Sequence, residues 1–405
     1  MPEVARAFSR LCLENGRLGA LVAAARPLHV RFAMKAESKS RSLVAVLLLA
    51  AAAAIAGCSS ATTSSSESSY LPPSGENAGR APSDGFGSST ETGGAPAAGP
   101  ASGTGNGTGT QVQAGQLTAG VWDDNLNYDF YKGYLASVAG SSAIFSEAER
   151  DAAHVRAGVA ATAKTELDVA IVLDTTSSMG DEIKYLQAEF DSIATTIKAK
   201  FPQTTPRFGL VLYRDHGDEY LTRAVPFTTD VQAFRASLAA QSAAGGGDMP
   251  EAVPEGLTEG VNLEWRSTDD VARVMFWVAD APQHAGEEQA VHTAVTAAVQ
   301  KGIHVYPVGA SGVDASAELT MRGTAQMTNG RYLFLTDDSG IGSSHAEPHI
   351  PCYVVTKLQG AMVRMVQSEM IGTRAEPAAT DVLRTVGSPT NGKCTLQDKT
   401  DVILY

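Results

Sequence analysis

The sequence predicts an α/β fold in which helices flank a doubly wound, mainly parallel sheet of six strands. Two runs of apolar residues, 167–173 and 271–278, are typical of strands that are buried on both faces, as in a parallel sheet. Helix-like segments follow the predicted strands, and the longest, 180–201, carries apolar residues at helical spacing. Because strands and helices alternate, right-handed crossovers and a parallel sheet are expected.

The individual elements follow from local patterns along the chain. Asp248 is a good helix cap and Pro250 is tolerated in a first turn, so a helix is expected to begin there. Leu358 and Met362 lie on the apolar face of the last predicted helix. The predicted strands are 167–174, 207–213, 221–227, 271–278, 302–308 and 330–335. The predicted helices are 128–137, 180–201, 231–241, one that begins at 248–251, 287–301, 315–327 and 353–370.

The amino-terminal residues 1–57 are predicted to be a leader with a lipoprotein signal peptide whose true start is Met34. Basic residues precede an uncharged run at 43–55, and small residues follow it, which is typical of a secretory signal. The run is short for a membrane span. The sequence Ile-Ala-Gly-Cys at 55–58 resembles the bacterial lipobox, which implies cleavage before Cys58 and lipidation of its sulfur. An ordinary signal with an incidental cysteine is the alternative.

The remainder of the chain divides by composition. Residues 58–115 are dominated by Ser, Gly, Thr, Ala and Pro, so we expect a disordered linker that tethers the folded part to its anchor. Residues 116–164 are predicted to be an N-terminal helical packing segment. The main α/β domain is expected at 165–372, and a C-terminal extension at 373–405.

The charge balance excludes some classes of partner. From Cys58 onward the chain has 41 Asp and Glu against 23 Lys and Arg, a net charge of −18. This balance argues against nucleic acid and against docking on anionic lipid through a basic patch. It is compatible with divalent cations, although acidity also keeps an exported protein soluble.

Hard oxygen donors follow the buried strands of the predicted sheet. Asp174, Thr176 and Ser178 come directly after the first apolar run, and Asp280 ends the second. Neighbouring strands of a doubly wound sheet bring their carboxyl ends together, where such folds bind ligands. Oxygen donors without nearby His or Cys suit Mg²⁺, Mn²⁺ or Ca²⁺ rather than zinc or copper. The alternative is that Asp174 and Asp280 only cap helices.

This pattern resembles the metal-ion-dependent adhesion site of von Willebrand factor type A domains. The fold of these domains is similar to Rossmann-like folds. Asp174, Thr176 and Ser178 match the family's Asp-x-Ser/Thr-x-Ser motif, and Asp280 matches its carboxylate after the fourth strand. The family usually supplies a Thr from a middle loop. Here that loop contains Asp248-Met-Pro-Glu251, which looks more like integrin β-subunit domains. By this likeness Glu251 is the metal ligand, and Asp248 lies beside it or at a neighbouring ion. The alternative, with Asp248 as the ligand and Glu251 beside it, stays open.

The resemblance implies a binding module and not an enzyme. A divalent cation, Mg²⁺ first and Mn²⁺ or Ca²⁺ as alternatives, would bind a carboxylate of a protein ligand. The likeness to a lipobox implies a place in the cell envelope, and by the enteric sorting pattern Ser59 after Cys58 would direct the module to the outer membrane of a Gram-negative bacterium. One alternative is a Mg²⁺-dependent phosphatase with Asp174 as nucleophile, although Thr176 stands where such enzymes usually need a second Asp. The other is a structural envelope protein with an inactive site.

Other polar residues have weaker interpretations. Cys352 and Cys394 are an even pair in an exported protein, which favours a disulfide over two free buried thiols. His345 and His349 have the spacing of a helical zinc motif, but the proline between them favours hydrogen-bonded loop histidines. The segment 214–216 ends a strand at the predicted site edge and could orient a ligand, or could be salt-bridged surface residues.

Overall fold

The computed structural model describes residues 114–138, 144–340, 345 and 348–404. The predicted signal at 1–57, the lipidation candidate Cys58 and nearly all of the predicted linker at 58–115 lie outside the described residues. No helix in the described part of the chain is long and apolar enough to span a membrane.

The described residues form a central sheet of nine strands with a separate two-stranded hairpin. Five strands, in the order β3-β2-β5-β6-β7, are parallel. Antiparallel strands extend both edges: β4 lies beside β3, while β1, β8 and β9 continue from β7. The strands are β1 Thr118–Trp122, β2 Glu166–Asp174, β3 Arg207–Tyr213, β4 Thr222–Thr228, β5 Val271–Ala279, β6 His304–Gly309, β7 Tyr332–Leu335, β8 Tyr353–Lys357, β9 Arg384–Val386, β10 Lys393–Thr395 and β11 Asp401–Ile403.

Helices cover both faces of the sheet. The helices are α1 Tyr128–Ser137, α2 Glu147–Ala157, α3 Gly180–Lys200, α4 Val231–Ala239, α5 Val253–Asn262, α6 Glu288–Lys301, α7 Ala315–Met327 and α8 Leu358–Ile371. Apolar residues of α3, α4 and α8 pack on one face, and those of α2, α5, α6 and α7 pack on the other. The predicted fold class, a mainly parallel sheet between helical layers, is therefore confirmed.

The number of strands differs from the prediction, because the sheet has nine strands and not six. One added strand, β1, comes from the segment predicted to be helical, and it pairs with both β7 and β8. Its central residue is Gly120, where an added Cβ would lie 2.2 Å from the ring of Phe334. Glycine weakens the strand pattern in the sequence, yet the close approach of that ring requires it. The helix predicted at 128–137 is confirmed.

The other added strands lie near the carboxyl terminus. Residues 353–357 form β8, so the last helix begins at Leu358 and not at 353 as predicted. The β-branched residues at 354–356 fit a strand better than a helix start. The extension contributes β9 to the sheet edge, and it contributes Val402 and Leu404 to the core on the α7 face. The predicted disulfide between Cys352 and Cys394 is confirmed.

A buried ion network joins the N-terminal segment to the main domain. The Arg322 guanidinium on α7 donates two hydrogen bonds to Asp124, at 2.9 and 2.7 Å, and a third to Glu318 at 2.9 Å. All three side chains are almost completely buried. The segment that carries β1 and α1 is thus an integral part of the domain.

Candidate metal centre

The site is built around the end of β2. Asp174, the last residue of that strand, is completely buried. The backbone N–H and the hydroxyl of Thr176 both donate to Oδ1 of Asp174, at 2.9 and 2.7 Å. Ser178, in the short 3₁₀ turn before α3, places its Oγ 3.3 Å from Oγ1 of Thr176. Oδ2 of Asp174 is buried and has no hydrogen-bond partner.

A glycine loop brings Glu251 to the same place. Gly246 has a positive φ of 68°, and an added Cβ there would lie 2.8 Å from Oε1 of Glu251 and 2.9 Å from Cβ of Thr176. Glycine therefore lets the loop pass between these two side chains. Glu251 is fixed by its N–H, which donates to the carbonyl of Pro282 at 2.9 Å. It is buried, and its Oε2 has no hydrogen-bond partner.

Asp280 completes the cluster from the neighbouring strand. It follows β5, which pairs in parallel with β2 so that Leu173 lies opposite Val278. Asp280 is buried, and its Oδ1 also has no hydrogen-bond partner. Three carboxylates from three segments, Asp174, Glu251 and Asp280, thus converge at the carboxyl edge of the sheet.

Five of the six predicted ligands line a single cavity of about 180 Å³, and the sixth, Asp174, accepts hydrogen bonds from Thr176 in its wall. Asp248 is exposed, whereas Glu251 is buried. The cavity is lined by Thr176, Ser177, Ser178, Gly246, Gly247, Asp248, Met249, Glu251, Asp280 and Ala281. The structure therefore brings together all six residues that were predicted from the sequence as metal ligands.

The electrostatics of the cluster are unfavourable without a cation. Burial and then the charge of Asp280 raise the pKa of Asp174 to about 7. Burial and then the charge of Asp174 raise the pKa of Glu251 to about 9. Burial raises the pKa of Asp280 to about 6, although a hydrogen bond from Ser178 opposes the shift. Among the described residues, no ion pair involves these three carboxylates. Unpaired carboxylate oxygens beside neutral hydroxyls are a donor set that fits a hard divalent cation.

Asp218 and His284 support the site and were not predicted from sequence, whereas Asp215 belongs to the segment 214–216 that was predicted at the site edge. Asp218 Oδ2 accepts hydrogen bonds from the N–H of Gly246 at 2.9 Å and of Asp215 at 3.2 Å, which holds the glycine loop in place. Asp215 in turn contacts His284, with Oδ1 and Nε2 2.6 Å apart. The acidic residues after β3 were visible in the sequence, but nothing there indicates which loop they contact.

The two histidines with zinc-motif spacing bind different partners. His345 lies 2.8 Å from Asp337 through Nδ1 and 3.1 Å from the Ser311 hydroxyl through Nε2. His349 Nδ1 lies 2.8 Å from Glu318. These are hydrogen-bonded loop histidines, as the intervening proline indicates.

The central part of the chain is similar to a known protein family. Residues 168–341 match the family model described as the von Willebrand factor A domain. This segment is similar to von Willebrand factor A domains. It begins in β2 and ends just after β7, so it includes all six candidate ligands, whereas β1, β8, α8 and the C-terminal extension lie outside the match.

Individual similar proteins share only part of their length with the chain. An ariadne-like RING finger protein, R811, of Acanthamoeba polyphaga mimivirus is 31% identical over 121 residues, which is 29% of this chain. The chain spans 11% of the length of that curated relative.

Solved structures to which the chain is similar include BatB from Bacteroides thetaiotaomicron, with 15% identity, a TM-score of 0.35, and coverage of 50% of this chain and 98% of BatB. The pilus adhesin SpaC from Lactobacillus rhamnosus GG has 13% identity, a TM-score of 0.33, and coverage of 42% of this chain and 28% of SpaC.

Proposed function

We propose that residues 168–341 are a von Willebrand factor A domain and act as a non-enzymatic binding module that recognises a protein ligand through a divalent cation. Asp174, Glu251 and Asp280 supply the charged donors, and Thr176 and Ser178 supply neutral ones. Mg²⁺ suits this set best, and Mn²⁺ and Ca²⁺ have the same donor preference. The bound cation would act as an electrophile that accepts a carboxylate of the ligand.

One observation carries the proposal: each of the three carboxylates has a buried oxygen without a hydrogen-bond partner. A buried polar oxygen that is left unpaired costs free energy, and an unpaired buried charge costs more. Three such oxygens in one cluster of interacting carboxylates are therefore unfavourable in isolation, and a cation would satisfy all of them together.

The proposal assigns different roles to Glu251 and Asp248. Glu251 is a direct ligand because it is buried and has an unpaired oxygen. Asp248 is exposed and lines the cavity mouth, so it would meet the ion through water or meet the approaching ligand. This agrees with the order that the integrin-like Asp-x-Pro-Glu spacing favours.

Membrane anchoring through Cys58 is the second part of the proposal. Acyl chains on this cysteine would fix the protein in the cell envelope, at the outer membrane of a Gram-negative bacterium, with 58–115 as a tether. The described fold begins beyond that tether, where the N–H of Gly115 donates to Glu189 at 2.8 Å. More than one acyl chain is needed for stable anchoring. A labelled fatty acid that enters the wild-type chain and not Cys58→Ser would support this part.

The functional test is cation-dependent capture of a ligand. The full chain with Cys58→Ser would be immobilised and exposed to envelope extract with Mg²⁺ or with EDTA, beside Asp174→Asn and the exposed control Asp181→Asn. A ligand protein retained only with Mg²⁺, and lost in Asp174→Asn alone, would then be purified and its acidic residues replaced one by one. Retention that is equal in EDTA or in Asp174→Asn would contradict the proposal.

A further inference from the structure

A second group of metal-ligating side chains lies beside the candidate cation site. His216 is in the loop after β3, Glu255 is in the first turn of α5, and Glu287 is the residue directly before α6. Nε2 of His216 lies 3.4 Å from Oε1 of Glu287 and 3.7 Å from Oε1 of Glu255. One ligand atom from each residue lies within 4.8 Å of the other two.

The two glutamates of this group need a positive charge that the protein does not permanently supply. Oε2 of Glu255 and Oε2 of Glu287 are buried and have no hydrogen-bond partner. In the part of the chain that the structure describes, the ion-pair partner of both carboxylates is His216. That imidazole is charged only when it is protonated, so a neutral His216 leaves two carboxylates together without a cation.

The chemistry of this group differs from that of the first site because it includes an imidazole nitrogen. Imidazole with carboxylates is a donor set for Zn²⁺, whereas Mg²⁺ and Ca²⁺ prefer oxygen alone. Ligands about 2.0–2.1 Å from a tetrahedral Zn²⁺ lie about 3.3 Å from one another. The distances from His216 to the two glutamates are already close to that value. His216 is about half exposed, so an ion can reach it from solvent.

We propose that His216, Glu255 and Glu287 bind one Zn²⁺ ion, with a fourth position left to water. The ion joins the loop after β3 to the amino-terminal ends of α5 and α6. This same loop carries Asp215 and Asp218, which contact His284 and Gly246. The ring centroids of His216 and His284 are 5.6 Å apart. Zinc would therefore stabilise the loop after β3, which holds the glycine loop of the candidate metal centre through Asp218.

The test is titration of Zn²⁺ into the metal-free full chain with Cys58→Ser, in the presence of saturating Mg²⁺. Calorimetry should detect one equivalent of Zn²⁺, and Co²⁺ used in its place should show the visible absorption of a four-coordinate nitrogen and oxygen site. His216→Ala and Glu287→Gln should each weaken Zn²⁺ binding at least tenfold. His292→Ala is the matched control, since His292 pairs with Glu149 at 2.7 Å and should leave binding unchanged.

Asp174→Asn separates this inference from the proposed function. The variant should keep its Zn²⁺ affinity while it loses Mg²⁺ affinity, because the two sites share no ligand. Zn²⁺ binding that is absent in the wild type, or that survives His216→Ala and Glu287→Gln, would overturn the zinc site. Circular dichroism of both variants would verify that a loss of binding does not reflect unfolding.

Discussion

Thr176 gives both its backbone N–H and its hydroxyl to the same oxygen of Asp174, Oδ1. The two hydrogen bonds fix the carboxylate plane and leave Oδ2 buried without a partner. A side chain held in this way loses little further freedom when a ligand binds, so the site is preorganised. The sequence Asp-x-Thr therefore fixes Asp174 at the end of β2 and leaves one of its oxygens without a hydrogen bond, beside Thr176 in the wall of the cavity.

The stability of the metal-free protein should fall as pH rises. In the folded state burial raises the pKa of Asp174 to about 7, of Glu251 to about 9 and of Asp280 to about 6, above their ordinary values near 4. The folded state then holds more protons than the unfolded state between about pH 4 and pH 9, so the free energy of unfolding decreases across that window. Urea unfolding at pH 5.5 and 8.0 with EDTA measures this effect.

Mg²⁺ should reverse that trend, since it binds the deprotonated carboxylates and stabilises the folded state. Asp174→Asn should flatten the pH dependence in EDTA and remove the effect of Mg²⁺. A metal-free protein that gains stability from pH 5.5 to 8.0 would show that the cluster is not charged as described.

Gly246→Ala should destabilise the protein and weaken cation binding. The positive φ of 68° costs a residue with a Cβ roughly 1–2 kcal/mol, and the new methyl would also press on Glu251 and Thr176. Gly247→Ala is the matched control, because an added Cβ there meets nothing within 4 Å. Urea unfolding of both variants measures their stability, and calorimetry measures their Mg²⁺ affinity. Equal effects of the two substitutions would contradict the described path of the loop at Gly246.

Replacement of both cysteines, Cys352→Ala with Cys394→Ala, should lower stability and loosen the extension. The disulfide closes a loop with a sequence separation of 42, for which the chain-entropy model gives about 4 kcal/mol. Because Val402 is buried and β9 pairs with β8, the extension should loosen without leaving the domain. Limited proteolysis should cut first within 373–404. A reductant should destabilise the wild type and leave the stability of the double variant unchanged. If the non-reduced wild type and the double variant are equally stable, the disulfide does not stabilise the domain.

Arg322→Ala should be among the most destabilising single changes in the chain. Removal of the guanidinium leaves Asp124 and Glu318 buried without their cation, which costs roughly 3–5 kcal/mol. Arg235→Ala is the control: its ion pair with Asp191 is exposed and should contribute less than about 1 kcal/mol. Chemical denaturation of both variants measures the difference. A loss in Arg322→Ala as small as that in the control would mean that the N-terminal segment is not joined to α7 as described.

The sequence was most informative where one local pattern decides the structure. The runs before Asp174 and Asp280 are almost wholly apolar, so both strands and the polar residues at their ends could be located from the sequence alone. The disulfide was likewise predictable, since Cys352 and Cys394 had no competing partner in the predicted exported chain.

Features that depend on distant segments were not predictable. The strand β1 is a strand because β7 and β8 pair with it more than 200 residues later, and its central Gly120 hides the pattern. The burial of Glu251 and the exposure of Asp248 follow from the path of the loop through Gly246, which spacing does not specify. The group of His216, Glu255 and Glu287 comes from three segments that only the fold brings together.

The central claim is that the three carboxylates hold a divalent cation, and Mg²⁺ calorimetry tests it most directly. The metal-free full chain with Cys58→Ser would be titrated beside Asp174→Asn and Asp181→Asn, the second of which changes an exposed acid on α3. We predict one bound Mg²⁺ in the parent chain and in Asp181→Asn, and none in Asp174→Asn, with the fold retained in all three. Mg²⁺ affinity that is equal in Asp174→Asn and the parent chain, or no binding of Mg²⁺, Mn²⁺ or Ca²⁺ by the parent chain, would contradict the claim.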